Sequence, residues 1–132
     1  MKRFDFADVT VIITATAWAG FSAWLGSQPD ALLDAFGVQA STPQMRTEIR
    51  AFYGGVEAAI AVAMIVLWKR GDTSAALLIG GLPLAGSAGG RLSGWALDGY
   101  SPMHLGLATL ELIGAACCFI GYRSAVRCND RR

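Results

Sequence analysis

Charged residues are scarce in this chain. Only 16% of its 132 residues are charged, whereas about 25% is usual in a soluble domain. Residues 9–29 contain no charge at all, and 54% of the chain is hydrophobic, gathered in long blocks between short polar segments. This composition predicts a single integral membrane domain over residues 1–132 and gives no indication of nucleic-acid binding.

The alternation of apolar and polar residues that marks strands is also missing. Because a backbone in hydrocarbon must hydrogen-bond to itself, the expected fold is all-α, a bundle of four transmembrane helices. Each apolar block reaches the roughly 20 residues that cross a hydrocarbon core of ~30 Å. We expect the four helices at about residues 7–26, 43–70, 73–97 and 102–124.

Cysteine and histidine are too few to indicate a redox or metal centre. Cys117, Cys118 and Cys128 form no C-x-x-C pair, so we interpret them as packing residues. The chain has one histidine, His104, and no compact ligand motif surrounds it. We therefore expect neither a metal nor a cofactor.

Basic residues are distributed unevenly around the four spans. Eight fall on one side, and three, Arg46, Arg50 and Arg91, lie toward the other. The positive-inside rule then predicts a multi-pass protein with both termini in the cytoplasm. The eight residues are Lys2, Arg3, Lys69, Arg70, Arg123, Arg127, Arg131 and Arg132.

The first span admits a second interpretation, a cleaved signal peptide. Two basic residues precede an apolar stretch that ends in A-W-A at residues 17–19. Asp5 and Asp8 interrupt its beginning, and the uncharged run is long for such a peptide. We expect a retained membrane span.

The outer loop after the first span contains a short amphipathic stretch. Leu32, Leu33 and Phe36 share one face, with Asp30 and Asp34 opposite. This pattern predicts a short helix that lies in the membrane interface.

Small residues predict where helices touch. Gly86, Gly90 and Gly94 recur every four positions in the third span, and Gly54 and Gly55 lie in the second. Helices in lipid associate through such close backbone contacts. The same stripe fits a contact between two copies of the chain, so the oligomeric state stays open.

The second span carries ionisable residues. Arg50, Tyr53 and Glu57 are spaced by three and four, which places them on one face of an α-helix. Ionisable residues inside a membrane are costly and indicate a functional site by default.

The third and fourth spans carry similar stripes, Arg91 with Asp98 and His104 with Glu111. Glu57 and Glu111 lie equally far from the basic ends of their spans, so we expect them at one depth. We therefore expect Glu57, Arg91 and Glu111 to form a cluster. The inner halves of the second and fourth spans are uncharged. This arrangement favours a polar pocket that opens outward, although a purely structural staple between helices fits the same residues.

The predicted function is binding of a small anionic ligand or lipid headgroup in this pocket. Arg50 and Arg91 would hold the anionic group, Tyr53 and His104 would orient it, and Glu57 or Glu111 would exchange protons. One alternative is an accessory subunit of a larger membrane complex, with the bilayer and a partner subunit or second copy as its contacts. Another is a membrane enzyme with a buried carboxylate as general base, but no catalytic residue or substrate is identified.

Two motifs resemble those of a known family. They are E-I-R-x-F-Y-G-G-x-E at residues 48–57 and G-R-x-x-G-x-x-x-D-G at residues 90–99, followed by Glu111 in the last span. With them the chain resembles an uncharacterised family of small bacterial four-helix integral membrane proteins, a domain of unknown function. The resemblance implies an inner-membrane four-helix protein and supplies no activity. The architecture also looks like that of DoxX-type proteins, in fold only.

Overall fold

A computed structural model describes residues 5–129, apart from the side chain of Asn129. Every regular element in this range is helical, which confirms the all-α expectation. The elements are α1 (Phe6–Ser27), α2 (Asp30–Ala35), α3 (Pro43–Ile49), a π-helix (Arg50–Val56), α4 (Glu57–Lys69), α5 (Thr73–Asp98) and α6 (Pro102–Asn129).

Four helical stretches are long and apolar enough to cross a membrane. They are Phe6–Ser27, Pro43–Lys69, Thr73–Asp98 and Pro102–Cys128. The second consists of α3, the π-helix and α4, which follow one another without a break. By length and composition the chain is a multi-pass membrane protein. The short α2 forms where the sequence predicts a helix between the first two spans; its place in the membrane interface stays a prediction.

The outside of the bundle is apolar. Leu97 is 83% exposed, Leu110 67% and Phe52 66%. Water-soluble monomers rarely expose broad apolar surfaces, whereas lipid chains solvate them readily. The exposed side chains therefore fit contact with hydrocarbon.

Side-chain caps fix where three helices begin. Asp5, Thr42 and Asp72 each accept a hydrogen bond from the backbone N–H three residues further along the chain. Pro43 follows Thr42 at the first helical position, where its missing N–H costs nothing. These caps satisfy backbone donors that a helix leaves unpaired.

The main core lies at the end of the bundle that contains the α4–α5 turn. Val11, Met64, Leu77 and Cys118 are fully buried there. A Cβ atom added to Gly81 would lie 2.7 Å from Cβ of Cys118. The missing side chain thus lets α5 and α6 pack closely.

A second core lies at the opposite end, called the α2 end below. Leu25, Leu33 and Ile49 are buried together, and Tyr53 packs against them. This cluster holds α2 against the bundle and fixes the position of the π-helix.

Candidate functional site

An ion pair between α5 and α6 lies at the centre of the site. Nε of Arg91 donates to both carboxylate oxygens of Glu111, at 3.0 and 3.1 Å. The hydroxyl of Ser87 donates to Oε1 of the same carboxylate at 2.7 Å. Ser87 precedes Arg91 by one turn, so both donors lie on one face of α5. The side chains of Arg91 and Glu111 are only 18% and 15% exposed, so the surrounding protein restricts their geometry.

Arg91 keeps most of its hydrogen-bonding capacity. A guanidinium group has five N–H donors, and this one uses only its Nε–H. Among the described residues, neither terminal nitrogen has a partner. The unused fork matches the geometry of a carboxylate or a phosphate.

Glu57 lies beside this pair without joining it. Its carboxylate is close enough to Glu111 for the two charges to interact. Its Oε2 is buried and has no hydrogen-bond partner in the described part of the chain. Nε1 of Trp18 is likewise buried and has no hydrogen-bond partner in the described part of the chain. The Ser22–Gly54 hydrogen bond joins two antiparallel helices, so Trp18, one turn before Ser22, lies at about the height of Glu57. A buried donor and acceptor without partners are unusual and mark this level of the bundle.

An open cleft of about 380 Å³ lies next to the ion pair. Arg91 contributes to its wall, while the Glu111 carboxylate holds Arg91 from the neighbouring helix. No group of three or more His, Cys, Asp or Glu side chains within residues 5–129 is placed to hold a metal ion. The lining residues are Tyr53, Ser87, Gly90, Arg91, Gly94, Trp95, Asp98, Gly99 and His104.

Two glycines create the space in this cleft. A Cβ atom on Gly90 would meet nothing within 4 Å, and one on Gly94 would meet only Oδ2 of Asp98, at 3.8 Å. The Asp98 carboxylate thus lies one turn back from its own Cα, over Gly94 and inside the cleft. Side chains at these two positions would fill the cleft.

The loop after α2 reaches the same region. The ring of Phe36 contacts that of His104, with centroids 5.6 Å apart. His104 belongs to the first turn of α6, so this contact connects the loop to the wall of the cleft.

Of the site residues expected from the sequence, Tyr53, Arg91, Asp98 and His104 meet in the cleft. Glu111 lies behind Arg91, and Glu57 lies beside Glu111.

The structure does not bring Arg50 into the cleft. Its Nε donates to the backbone carbonyl of Gly26 at 3.3 Å, at the end of α1. The sequence argument placed Arg50 and Tyr53 on one face because it assumed an α-helix. A π-helix closes its hydrogen bonds over five residues instead of four, which turns residues three apart to different sides.

The glycines expected to pack helices also divide into two groups. A Cβ atom on Gly54 would lie 3.2 Å from Cα of Gly26, so this residue does bring two helices together. Gly55 meets only a backbone oxygen of its own helix. Gly86 and Gly90 are exposed and meet nothing within 4 Å, so no neighbouring helix packs against them. In the described chain, Gly81 packs α5 against α6 instead.

Sequence reasoning missed Ser87 and Ser22. Ser87 lies four residues before Arg91, and this spacing is a signal that could have identified it. The Ser22 hydroxyl donates to the carbonyl of Gly54 at 2.6 Å. No spacing rule indicates that partner, because it is a backbone carbonyl of another helix, far from Ser22 in the sequence.

Comparison with known families agrees with the expectation of an uncharacterised family. Residues 6–122 match the model of a family described as Domain of unknown function (DUF4345). The matched range includes both motifs and Glu111. No curated protein and no solved structure matches the chain. The chain therefore belongs to the DUF4345 family, whose function is unknown.

Proposed function

We propose that this membrane protein binds a small ligand with an anionic group, or the headgroup of a lipid, in the cleft beside Arg91. The observation that carries the proposal is the unused hydrogen-bonding capacity of Arg91. Glu111 fixes its Nε, while both terminal nitrogens lack a partner among the described residues and the side chain lines open space. A cation held in place within a membrane span is suited to bidentate anion binding.

The cleft faces away from the cytoplasm. Lys69 and Arg70 after α4, with Arg123 and Arg127 near the end of α6, lie at the end of the bundle opposite α2. The positive-inside rule assigns that end to the cytoplasm, and the resemblance to small bacterial membrane proteins favours a bacterial inner membrane. The same prediction counted Lys2, Arg3, Arg131 and Arg132, which lie outside the described residues.

Binding is coupled to a proton through Glu57. Its buried Oε2 has no donor in the described chain, and the charge of Glu111 acts on the same carboxylate. An anion on Arg91 adds negative charge close to both carboxylates. Uptake of a proton by Glu57 offsets that charge.

Native mass spectrometry of the protein released from lipid nanodiscs tests the proposal. The wild type should retain a bound lipid or small anion, and Arg91→Gln should lose it. Arg50→Gln is the matched control, because it removes an arginine at the same end of the bundle but outside the cleft. Gly90→Leu places a side chain in the cleft, where its Cβ meets nothing within 4 Å, and should also abolish retention. Equal retention by Gly90→Leu and the wild type would overturn the proposal.

A second candidate function is that of an accessory subunit. The exposed face of α5 at Gly86 and Gly89, where an added Cβ meets nothing within 4 Å, favours it. Close approach of another membrane helix needs such a face. Extraction in a mild detergent followed by a native mass measurement decides this point: a lone monomer contradicts the subunit role, and a stable complex that Gly86→Leu disrupts supports it.

A further inference from the structure

The cleft contains a second charged group, the Asp98 carboxylate, which has no role in binding an anion. The Asp98 carboxylate lines the cleft and is turned back over Gly94. It makes no hydrogen bond or ion pair with any described residue. The cleft thus presents a cation, Arg91, and an anion, Asp98, both with free hydrogen-bonding capacity.

The two charges lie at different depths along α5. Asp98 ends the helix, and its Cα lies seven residues beyond that of Arg91, which corresponds to ~10 Å along the axis. Trp95 and Tyr100 form an edge-to-face ring pair beside Asp98, with centroids 5.8 Å apart. Such aromatic residues typically mark the level of lipid headgroups. Asp98 is therefore close to the membrane surface, and Arg91 lies deeper.

We propose that the ligand is a zwitterionic phospholipid with a primary ammonium group, its phosphate on Arg91 and its ammonium on Asp98. This inference rests on the proposed function above and names the class of ligand. In such a lipid the phosphate lies between the acyl chains and the amine, which matches the order of the two side chains. A primary ammonium donates three hydrogen bonds, which the free carboxylate oxygens of Asp98 accept, whereas a quaternary ammonium has no N–H to donate.

The open side of the cleft indicates a lipid rather than a soluble zwitterion. Gly90 forms part of the lining and is itself exposed. By helical spacing it shares a face of α5 with Gly86, Leu82 and Leu97, and the two leucines are 58% and 83% exposed. Over Gly90 the cleft thus opens onto the apolar outside of the bundle. Acyl chains leave along this face while the headgroup stays inside.

Nanodiscs with equal amounts of phosphatidylethanolamine and phosphatidylglycerol test the inference. Both lipids carry a phosphate, but only the first carries an ammonium group. Native mass spectrometry of the wild type should show phosphatidylethanolamine retained about twofold to fivefold more often, the range expected for an exposed ion pair. Asp98→Asn should abolish this preference without abolishing lipid retention. Asp34→Asn, which removes an exposed carboxylate on α2, should leave the preference unchanged.

Two further arms identify the headgroup and the source of the ligand. Phosphatidylcholine should be retained less than phosphatidylethanolamine; equal retention would overturn the assignment of a primary ammonium. Soluble phosphoethanolamine should not displace the lipid at equal concentration; displacement would overturn the assignment of a lipid.

The outcomes separate this inference from the proposed function. Equal retention of phosphatidylglycerol and phosphatidylethanolamine, both lost in Arg91→Gln, would refute the role of Asp98 and leave the anion site standing. Retention that Arg91→Gln and Gly90→Leu do not change would refute both.

Discussion

Breaking the ion pair between Arg91 and Glu111 should show a large coupling in a double-mutant cycle. The variants are Arg91→Gln, Glu111→Gln and the two combined. One N–H shared between two carboxylate oxygens counts as a single charge-assisted hydrogen bond, about 1.5–3 kcal/mol. Coulomb attraction between charge centres 4 Å apart, at an effective dielectric of 20, is about 4 kcal/mol before the cost of desolvation.

Low exposure keeps solvent screening of this pair small, with side chains 18% and 15% exposed. Each single variant leaves one charge without its partner and should lower the free energy of unfolding by about 3 kcal/mol. The double variant removes both charges and should cost clearly less than the two single losses together. We expect a coupling of about 2 kcal/mol.

The assay is unfolding in mixed detergent micelles by titration with sodium dodecyl sulfate, followed by far-ultraviolet circular dichroism. The cycle with Arg50 in place of Arg91 is the control and should give no coupling, because Arg50 bonds to a backbone carbonyl. The free-energy changes of mutations at independent sites add to within about 0.5 kcal/mol. A coupling below that value for Arg91 and Glu111 would therefore refute the reasoning.

Three further predictions concern the bundle around the site. Gly81→Ala should destabilise the protein by about 1–3 kcal/mol because its Cβ would overlap Cβ of Cys118, whereas Gly86→Ala should not, and micelle unfolding compares the two. Ser22→Ala should cost about 1 kcal/mol in the same assay, because it removes the hydrogen bond to a π-helix carbonyl. The backbone N–H of Ala75 and the hydroxyl of Ser74 donate to the exposed Asp72 carboxylate and lower its pKa below the ordinary value of 3.8. The charged carboxylate therefore stabilises the helix at pH values above 3.8, and this stabilisation is lost as the pH falls through the lower pKa of the folded state. The difference in the free energy of unfolding between wild type and Asp72→Asn should thus vanish in strong acid.

The four spans could be predicted from the sequence because hydrocarbon imposes one requirement on all of them. A backbone without water must be helical, and residues 9–29 have no charge to end the helix early. The ion pair between Arg91 and Glu111 could be predicted for a similar reason, since buried charges in a membrane need partners.

The position of Arg50 could not be predicted in this way. Hydrophobic periodicity reports α-helical spacing and does not signal the shift to π-helical bonding over Arg50–Val56, where the Gly54 carbonyl accepts from Ser22 and Tyr53 packs in the second core. The glycines illustrate a related limit. A four-residue spacing shows that Gly86 and Gly90 share a side of α5, but only the arrangement of the other helices decides whether that side is covered.

The most direct test of the lipid site measures the distance between arginine nitrogens and lipid phosphorus by solid-state NMR. The protein is labelled with ¹⁵N at arginine and reconstituted in phosphatidylethanolamine bilayers, and the spectrum of Arg91→Gln is subtracted from that of the wild type. The account predicts that the terminal nitrogens of Arg91 lie in hydrogen-bonding contact with a phosphate, while its Nε, held by Glu111, does not. Identical ¹⁵N–³¹P dephasing in the wild type and Arg91→Gln would contradict it.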